Sequence, residues 1–165
     1  MRFYTVTNTY IHFLKEFEKK VPNPSGGNYK NIKPYVGVVL NIDGHKFLAP
    51  LTSYKEETHD KLPESAPTHF KLYEVGNPGN KLGLIALRYM IPVLDSEIKE
   101  VDLDTQVEPY KQMLQRQYAY IKANQAKIEA LAGKLYQKVV IDKTPHYVNL
   151  SCDIPKLLNE YKNYK

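Results

Sequence analysis

The sequence contains a single cysteine, Cys152, and no tryptophan among its 165 residues. One cysteine cannot form a disulfide within the chain, and no cysteine–histidine cluster has the spacing of a structural zinc site. The histidines are scattered, without an H-x-x-x-H or H-E-x-x-H pair to bind a catalytic metal; they are His12, His45, His59, His69 and His146. We therefore expect no metal and no other cofactor, and a protein suited to a reducing cytoplasm.

Long apolar runs are also missing. No stretch of about 18 apolar residues is present, and residues 1–17 carry polar and acidic residues where a signal peptide needs a continuous apolar core. The sequence has no Walker loop and no G-x-G-x-x-G segment, so nucleotide-cofactor chemistry is unsupported. We expect a soluble, unprocessed cytoplasmic protein without a membrane partner.

Positive charge is concentrated in two parts of the chain, although the net charge is only +5. Residues 19–55 contain six lysines and one acid, Asp43, and residues 109–143 contain six lysines and Arg116 against two acids. Charge runs are often only solvated surface, but this clustering favours a polyanionic partner such as RNA.

Periodicity predicts strands in the first half of the chain. Residues 2–6 alternate like a short strand, and Thr7 or Asn8 can cap an amphipathic helix that reaches residue 17. Residues 35–42 and 45–51 flank Asp43-Gly44, a strong signal for a β-hairpin with a two-residue turn. Two more strands are expected at 69–75 and 82–90, joined by a turn cluster at 76–80.

The second half is predicted to be helical. A helix that begins after Pro109 has one narrow apolar face, and a second helix runs through Ile128 and Leu135. A third helix is expected over 154–164. The narrow face comprises Tyr110, Met113, Leu114, Gln117 and Ile121. Without repeats or a linker, residues 1–165 are expected to form one α+β domain, a compact, strongly bent antiparallel sheet with helices against it.

The hairpin register suggests a candidate site. Positions equally distant from the turn oppose each other, so Tyr35 faces Thr52, and Lys33 lies beside Thr52 and Ser53. Opposed Cβ atoms are roughly 5 Å apart and diagonal ones about 7 to 8 Å, so a lysine can hold its ammonium over both hydroxyls.

Lys55 and Tyr29 extend this candidate site, since Lys55 lies two residues beyond Ser53 and Tyr29 ends the loop before Lys33. Hydroxyl and ammonium groups together bind phosphate. RNA supplies its own nucleophile, the 2'-hydroxyl, so a protein need only align it, accept a proton, stabilise the phosphorane and protonate the leaving oxygen. The expected products are a 2',3'-cyclic phosphate and a 5'-hydroxyl.

Plainer interpretations of these residues remain open. A Thr-Ser pair after a strand is most often a turn or helix cap, and a lysine before Pro34 is usually a solvated edge residue. Ser53 as a hydrolase nucleophile, with His59 as base, lacks a G-x-S-x-G elbow. The competing functions are a non-catalytic domain that binds structured RNA and a small barrel that binds a protein partner.

The first long helix carries a second candidate surface. Lys111, Gln115, Tyr118 and Lys122 share one stripe beside the apolar face, with Arg116 next to it. An aromatic ring between lysines suits base stacking and phosphate contacts with single-stranded RNA. The alternative is that Tyr118 widens the core face and the lysines are solvated.

Five segments together resemble the ToxN/AbiQ toxins of type III toxin–antitoxin systems. They are MRFYTV at 1–6, YIHFLKEF at 10–17, KPYVGVVL at 33–40, HKFLAPLTS at 45–53 and LGLI at 82–85. The match runs from residue 1 to about 125, and the tail beyond Ile128 matches weakly.

The resemblance implies an endoribonuclease that cleaves adenine-rich RNA without a metal, with a small barrel similar to the MazF/Kid toxins. It also implies an RNA antitoxin, a pseudoknotted repeat that the toxin cuts from a longer transcript and keeps bound, in a closed assembly expected to contain three toxins and three RNAs.

By position, the resemblance assigns Thr52 and Ser53 to the active-site pair, Lys33 to the catalytic lysine and Tyr29 to the same pocket, with Lys55 a basic neighbour. It implies that Lys33 stabilises the phosphorane, while Thr52 and Ser53 orient the phosphate. Ser53 either relays a proton or only positions the phosphate, because an unperturbed serine is a very weak base.

Overall fold

The computed structural model describes residues 1–23 and 36–165. These residues form seven strands and six α-helices. The strands are β1 (Phe3–Val6), β2 (Val36–Ile42), β3 (His45–Thr52), β4 (Phe70–Glu74), β5 (Asn77–Ile85), β6 (Ile91–Pro92) and β7 (Ile98–Glu100). The helices are α1 (Asn8–Lys15), α2 (Glu56–His59), α3 (Tyr110–Ala123), α4 (Gln125–Tyr136), α5 (Pro145–Leu150) and α6 (Ile154–Glu160). The α+β class and the helical C-terminal half are confirmed.

The sheet is antiparallel and open within the described ranges. Its strand order is β4-β5-β3-β2-β1-β7, and β6 pairs with β3 beside this path. Strand β3 first pairs with β6 and then, at its last two residues, with β5. The expected closed barrel is not confirmed among the described strands, in which β4 and β7 lie at opposite edges and do not pair with each other.

The hairpin β2–β3 has the predicted turn and register. Asp43 and Gly44 form the two-residue turn with φ of 51° and 76°, the left-handed region that this turn requires. The register runs from Ile42 opposite His45 to Gly37 opposite Pro50. The pairing of Tyr35 with Thr52 lies outside the described residues.

The hairpin lies between two cores. Phe47 and Ala49 face a cluster that includes Leu114, Ile121 and helix α4, while Leu48 between them faces a cluster with Tyr10 of α1. A strand buried on both faces has no polar alternation, which explains the nearly continuous apolar run in β3. The sheet is therefore covered by helices on both sides.

Strands β4 and β5 are joined by a tighter turn than the composition indicated. Glu74 pairs with Asn77, so Val75 and Gly76 form the turn, and Gly76 has φ of 80°. Residues 77–80 belong to β5 rather than to a loop, with register shifts near Tyr73. The strand ends at Ile85, and residues 87–89 form a 3-10 turn instead of continuing to Met90.

The helices follow the prediction with four differences. The expected face of α3 is buried at Leu114, Gln117 and Ile121, but Tyr110 and Met113 in its first half are 39% and 47% exposed. The chain also forms α5, a π-helical segment at Gln137–Ile141 and the short α2, all unpredicted. Among residues 1–23 and 36–165, no helix has both the length and the apolar character needed to cross a bilayer.

Candidate functional site

Thr52 and Ser53 lie where β3 leaves the sheet. Thr52 pairs with Leu84 of β5, so the end of β3 is held by a partner strand distant in sequence. The Thr52 side chain is half-buried and that of Ser53 is exposed. Thr52 Oγ1 donates a long hydrogen bond to the carbonyl of Ser53 at 3.5 Å. The two hydroxyls are thus at the surface, at the end of a fixed strand.

The segment after Ser53 is tied down beside β5. The hydroxyl of Tyr54 donates to Asp60 Oδ1 at 2.6 Å, and Lys81 Nζ donates to the same oxygen at 2.8 Å. These two donors hold the pKa of Asp60 below its usual value. Burial, followed by the hydrogen bond to Asp60, raises the pKa of Tyr54 to about 12. Glu56 Oε1 lies 3.6 Å from Lys81 Nζ. Lys81 therefore contacts a carboxylate at each end of α2: Glu56 at its first residue and Asp60 directly after its last.

A pocket of about 210 Å³ opens beside Thr52. It is lined by Thr52, Lys55, His59, Leu62, Thr68, His69, Leu84, Ala86, Arg88 and Tyr89. Among these described lining residues, Lys55 and Arg88 are permanently charged cations and His59 and His69 are imidazoles, and there is no carboxylate. Its electrostatic character therefore favours an anion.

The two imidazoles of this pocket have different environments. His69 is buried, and its Nε2 donates to the carbonyl of Pro63 at 2.8 Å, so its Nδ1 accepts from the Thr68 hydroxyl at 2.9 Å. Burial lowers the pKa of His69. The Nδ1 of His59 accepts the backbone N–H of Lys55 at 2.9 Å. Burial, then the charge of Lys55, lowers the pKa of His59 as well.

The structure joins only part of the predicted catalytic set. Thr52, Ser53 and Lys55 are close along one segment, and Thr52 and Lys55 share the pocket. Lys33 and Tyr29 fall within residues 24–35, outside the described residues. Their placement next to Thr52 and Ser53 therefore stays a prediction.

Sequence reasoning missed Thr68, His69 and Arg88 and considered His59 only as the base of a serine hydrolase. Thr68 and His69 precede β4, and Arg88 follows β5, so the pairing of β5 with both β3 and β4 brings them to Thr52. No local pattern carries that information, because the partner of an antiparallel strand is fixed by the whole sheet.

The stripe on α3 exists, although its surroundings differ from the expectation. Gln115 and Lys122 are exposed, while Lys111 and Tyr118 are half-buried. Lys111 Nζ donates weakly to the carbonyl of Asp104 at 3.5 Å. Tyr118 packs edge-on against Phe3 with ring centroids 6.2 Å apart. Tyr118 thus widens the core face, as the alternative interpretation expected, and its stacking on an RNA base stays a prediction.

Acidic groups lie close to this stripe. Tyr118 lines a cavity of about 510 Å³ together with Arg2, Glu100, Asp102 and Asp104. Arg116 is paired with Glu74, its Nε lying 3.2 Å from Oε1. Hydrogen bonding from Asn80, followed by the charge of Arg116, lowers the pKa of Glu74. The positive charge of α3 is therefore partly balanced by neighbouring carboxylates.

No group of three or more His, Cys, Asp or Glu side chains within residues 1–23 and 36–165 is placed to hold a metal ion.

Comparison with known proteins relates this geometry to a family. A family profile described as "Toxin ToxN, type III toxin-antitoxin system" matches residues 2–162. The chain is 42% identical over 165 residues to "Endoribonuclease ToxN" of Pectobacterium atrosepticum, covering 99% of this chain and 94% of that protein. It is 37% identical over 164 residues to "Endoribonuclease AbiQ" of Lactococcus lactis subsp. lactis, covering 96% and 85% respectively.

Solved structures share the fold over the same length. One, described as "A processed non-coding RNA regulates a bacterial antiviral system", superposes with a TM-score of 0.88 at 41% identity and covers 99% of both chains. Another, described as "selective toxin inhibition by a non-coding RNA pseudoknot" in type III systems, gives a TM-score of 0.80 at 28% identity, covering 99% of this chain and 96% of that one. The similarity includes the C-terminal helices, where the sequence resemblance was weak. The chain therefore belongs to the ToxN family of endoribonuclease toxins from type III toxin–antitoxin systems.

Proposed function

We propose that this endoribonuclease toxin cleaves adenine-rich RNA in the cytoplasm without a metal ion, by attack of the 2'-hydroxyl on the neighbouring phosphate. The products are a 2',3'-cyclic phosphate and a 5'-hydroxyl. The observation that carries the proposal is the position of Thr52 and Ser53 at the end of β3, beside a pocket that Lys55 and Arg88 make electropositive. Hydroxyls and fixed cations are the groups that bind a phosphate and stabilise its phosphorane.

In this proposal Thr52 and Ser53 bind and orient the scissile phosphate. Lys33 stabilises the phosphorane, and Tyr29 lines the same pocket; their roles rest on the family resemblance alone. The exposure of Ser53 supports contact with a large substrate, since a buried hydroxyl is closed to an RNA strand. Ser53 relays a proton only if a neighbour activates it, and otherwise it positions the phosphate.

Lys55, Lys111, Gln115, Arg116, Tyr118 and Lys122 are proposed to contact RNA outside the scissile bond. Exposed Gln115 and Lys122 on one face of α3 support this surface. To bind a phosphate, Arg116 must first break its ion pair with Glu74. This costs little free energy because both side chains are partly exposed.

The antitoxin is proposed to be a pseudoknotted RNA repeat that the toxin cuts from its precursor and then keeps bound. A relative described as inhibited by a non-coding RNA pseudoknot supports this partner. Toxin and RNA are expected to form a closed assembly of three toxins and three RNAs. The mass of the purified complex in native mass spectrometry tests the stoichiometry, and any other ratio contradicts it.

Cleavage in excess EDTA tests the enzyme proposal. Purified protein is incubated with an adenine-rich RNA, and the product ends are mapped for the parent chain, Ser53→Ala and Lys33→Ala. We expect cyclic phosphate and 5'-hydroxyl ends from the parent and at least 100-fold slower cutting by both variants. Ser65→Ala, an exposed serine elsewhere, is the matched control. Full activity of Ser53→Ala removes Ser53 from the site, and salt-sensitive binding without any cutting identifies an RNA-binding domain instead.

A further inference from the structure

His59 and Arg88 line the pocket beside Thr52, and neither belongs to the predicted catalytic set. Arg88 is fixed by its main chain: its N–H donates to the carbonyl of Thr68, and its own carbonyl accepts from Cys152, each at 2.9 Å. Its guanidinium lies 4.7 Å from the centre of the Tyr89 ring. In the described part of the chain it has no carboxylate partner within 4.0 Å, so its charge is available to a ligand.

The hydrogen bond from Lys55 determines which ring nitrogen of His59 carries the hydrogen. A backbone N–H can only donate, so Nδ1 of His59 is an acceptor and carries no hydrogen. The neutral ring then has its hydrogen on Nε2. Tyr54 packs edge-on against the ring, with centroids 5.4 Å apart, and limits its rotation. His59 can therefore donate an N–H from Nε2 to a group in the pocket. Its unprotonated nitrogen, Nδ1, already accepts the N–H of Lys55.

The charges around His59 favour this neutral form. Lys55 on the same segment, Arg88 after β5 and Lys71 of β4 all disfavour a further proton, whereas Asp60 favours one. Asp60 is itself occupied by Lys81 and Tyr54. Burial is the largest cause that keeps the pKa of His59 below its ordinary value, and the three cations act in the same direction.

His69 does not compete for the same role. Both of its ring nitrogens are already hydrogen-bonded, one to the Thr68 hydroxyl and one to the Pro63 carbonyl. It forms part of the pocket wall, so His59 is the imidazole with a ring nitrogen left for a ligand.

We propose that the pocket between Thr52 and Arg88 is a phosphate subsite for RNA, in which Arg88 supplies the charge and His59 donates a hydrogen bond from Nε2. The proposal deepens the proposed function and rests on RNA being the substrate. In contrast to a general base, His59 takes no proton during cleavage; it is a neutral donor to a phosphate oxygen. Lys55 lies on the same wall and adds a second cation.

The first test measures binding to an adenine-rich oligonucleotide with 2'-deoxy sugars, which lacks the proposed nucleophile. We expect Arg88→Met to raise the Kd about tenfold or more and to reduce the slope of log Kd against log salt by about one. Arg88→Lys keeps the charge and should retain most of the slope, while Arg2→Met, at an arginine paired with Glu100, is the control. An unchanged Kd and slope for Arg88→Met overturn the subsite.

The second test observes His59 directly in the parent protein. Two-bond ¹H–¹⁵N NMR spectra at pH 7 should show a neutral ring protonated at Nε2, and inorganic phosphate should shift the Nε2 resonance more than that of Nδ1. A ring protonated at Nδ1, or no response to phosphate, overturns the role of His59. Both tests are independent of cleavage: absence of cutting refutes the nuclease proposal alone, and cutting with unaltered Arg88→Met binding refutes the subsite alone.

Discussion

The buried side chain of Gln117 donates from Nε2 to the backbone carbonyl oxygen of Leu82 at 2.7 Å. This bond links helix α3 to strand β5 two residues before Leu84, the partner of Thr52. A glutamine that is 5% exposed on an otherwise apolar face is thus a cross-link between the helix and the strand that supports the candidate site.

Replacing Gln117 by alanine is expected to lower the free energy of unfolding by about 1–3 kcal/mol, because a buried carbonyl loses its partner and a cavity forms. Gln115→Ala, on the exposed face of the same helix, should change it by less than about 0.5 kcal/mol. Urea unfolding of both variants measures the difference. Equal midpoints for the two variants would show that the bond contributes nothing.

Gly83 lies against the backbone of β3 at the same place. Its φ is 144°, and a Cβ added there would lie 2.8 Å from the carbonyl oxygen of Thr52 and 2.9 Å from Nε2 of Gln117. We expect Gly83→Ala to destabilise the protein by on the order of 1–3 kcal/mol and to slow cleavage by displacing Thr52.

Gly133 of α4 is the control for this change, since a Cβ there meets no described atom within 4 Å outside the nearby backbone of its own helix. Gly133→Ala should stabilise the helix by about 0.5–1 kcal/mol. Thermal unfolding and cleavage rates compare the two alanine variants. Normal stability and activity of Gly83→Ala would refute a constraint on the end of β3.

Stability should fall when the solution is acidified below pH 6.5. Burial lowers the pKa of His69 below its ordinary value of 6.5, and the pKa of His59 is lowered as well. The unfolded chain then binds more protons than the folded one, so the free energy of unfolding decreases from pH 6.5 down through the folded pKa values and is constant above pH 6.5 for these groups.

Urea unfolding at pH 7.5 and 5.5 measures this loss of stability. His69→Gln should show a smaller loss than the parent, while His12→Gln, an exposed control on α1, should behave like the parent. An identical pH dependence of the parent and His69→Gln contradicts the prediction.

Lys81 anchors α2 through Asp60 and Glu56. Because the ion pairs are partly exposed, Lys81→Met should change global stability little but loosen the segment that carries Lys55 and His59. Amide hydrogen exchange at His59 and Asp60 should become faster, with exchange in β2 unaffected. Lys61→Met, at an exposed neighbouring lysine, is the control, and equal exchange in both variants contradicts the tether.

The parts of the fold that could be predicted depend on local chemistry. Asp43-Gly44 supplies the left-handed conformations that a two-residue hairpin turn requires, so its position and register follow from the sequence. Composition did not locate the turn between β4 and β5. All five residues at 76–80 favour turns, but the chain turns at Val75 and Gly76. Turn chemistry identifies a turn well when only one pair of residues satisfies it.

Only the part of the candidate site that is formed by sequence neighbours could be predicted. Thr52, Ser53 and Lys55 are sequence neighbours and were found, whereas His69 and Arg88 reach the pocket through strand pairings that no short pattern encodes. Closure of the sheet was not confirmed, and it depends on more than local sequence for the same reason. Whether the edges β4 and β7 meet depends on the bend of every strand between them rather than on any one segment.

The second core joins segments from opposite ends of the sequence. Tyr10 and Leu14 of α1 share it with Leu157 and Tyr161, and the hydroxyl of Tyr164 donates to Thr9 Oγ1 at 2.9 Å. During translation, α1 leaves the ribosome long before these partners, a delay on the order of ten seconds at usual elongation rates. This core is therefore complete only once residues 154–164 have been synthesised, and in a shorter nascent chain the part of the first helix that they cover stays exposed.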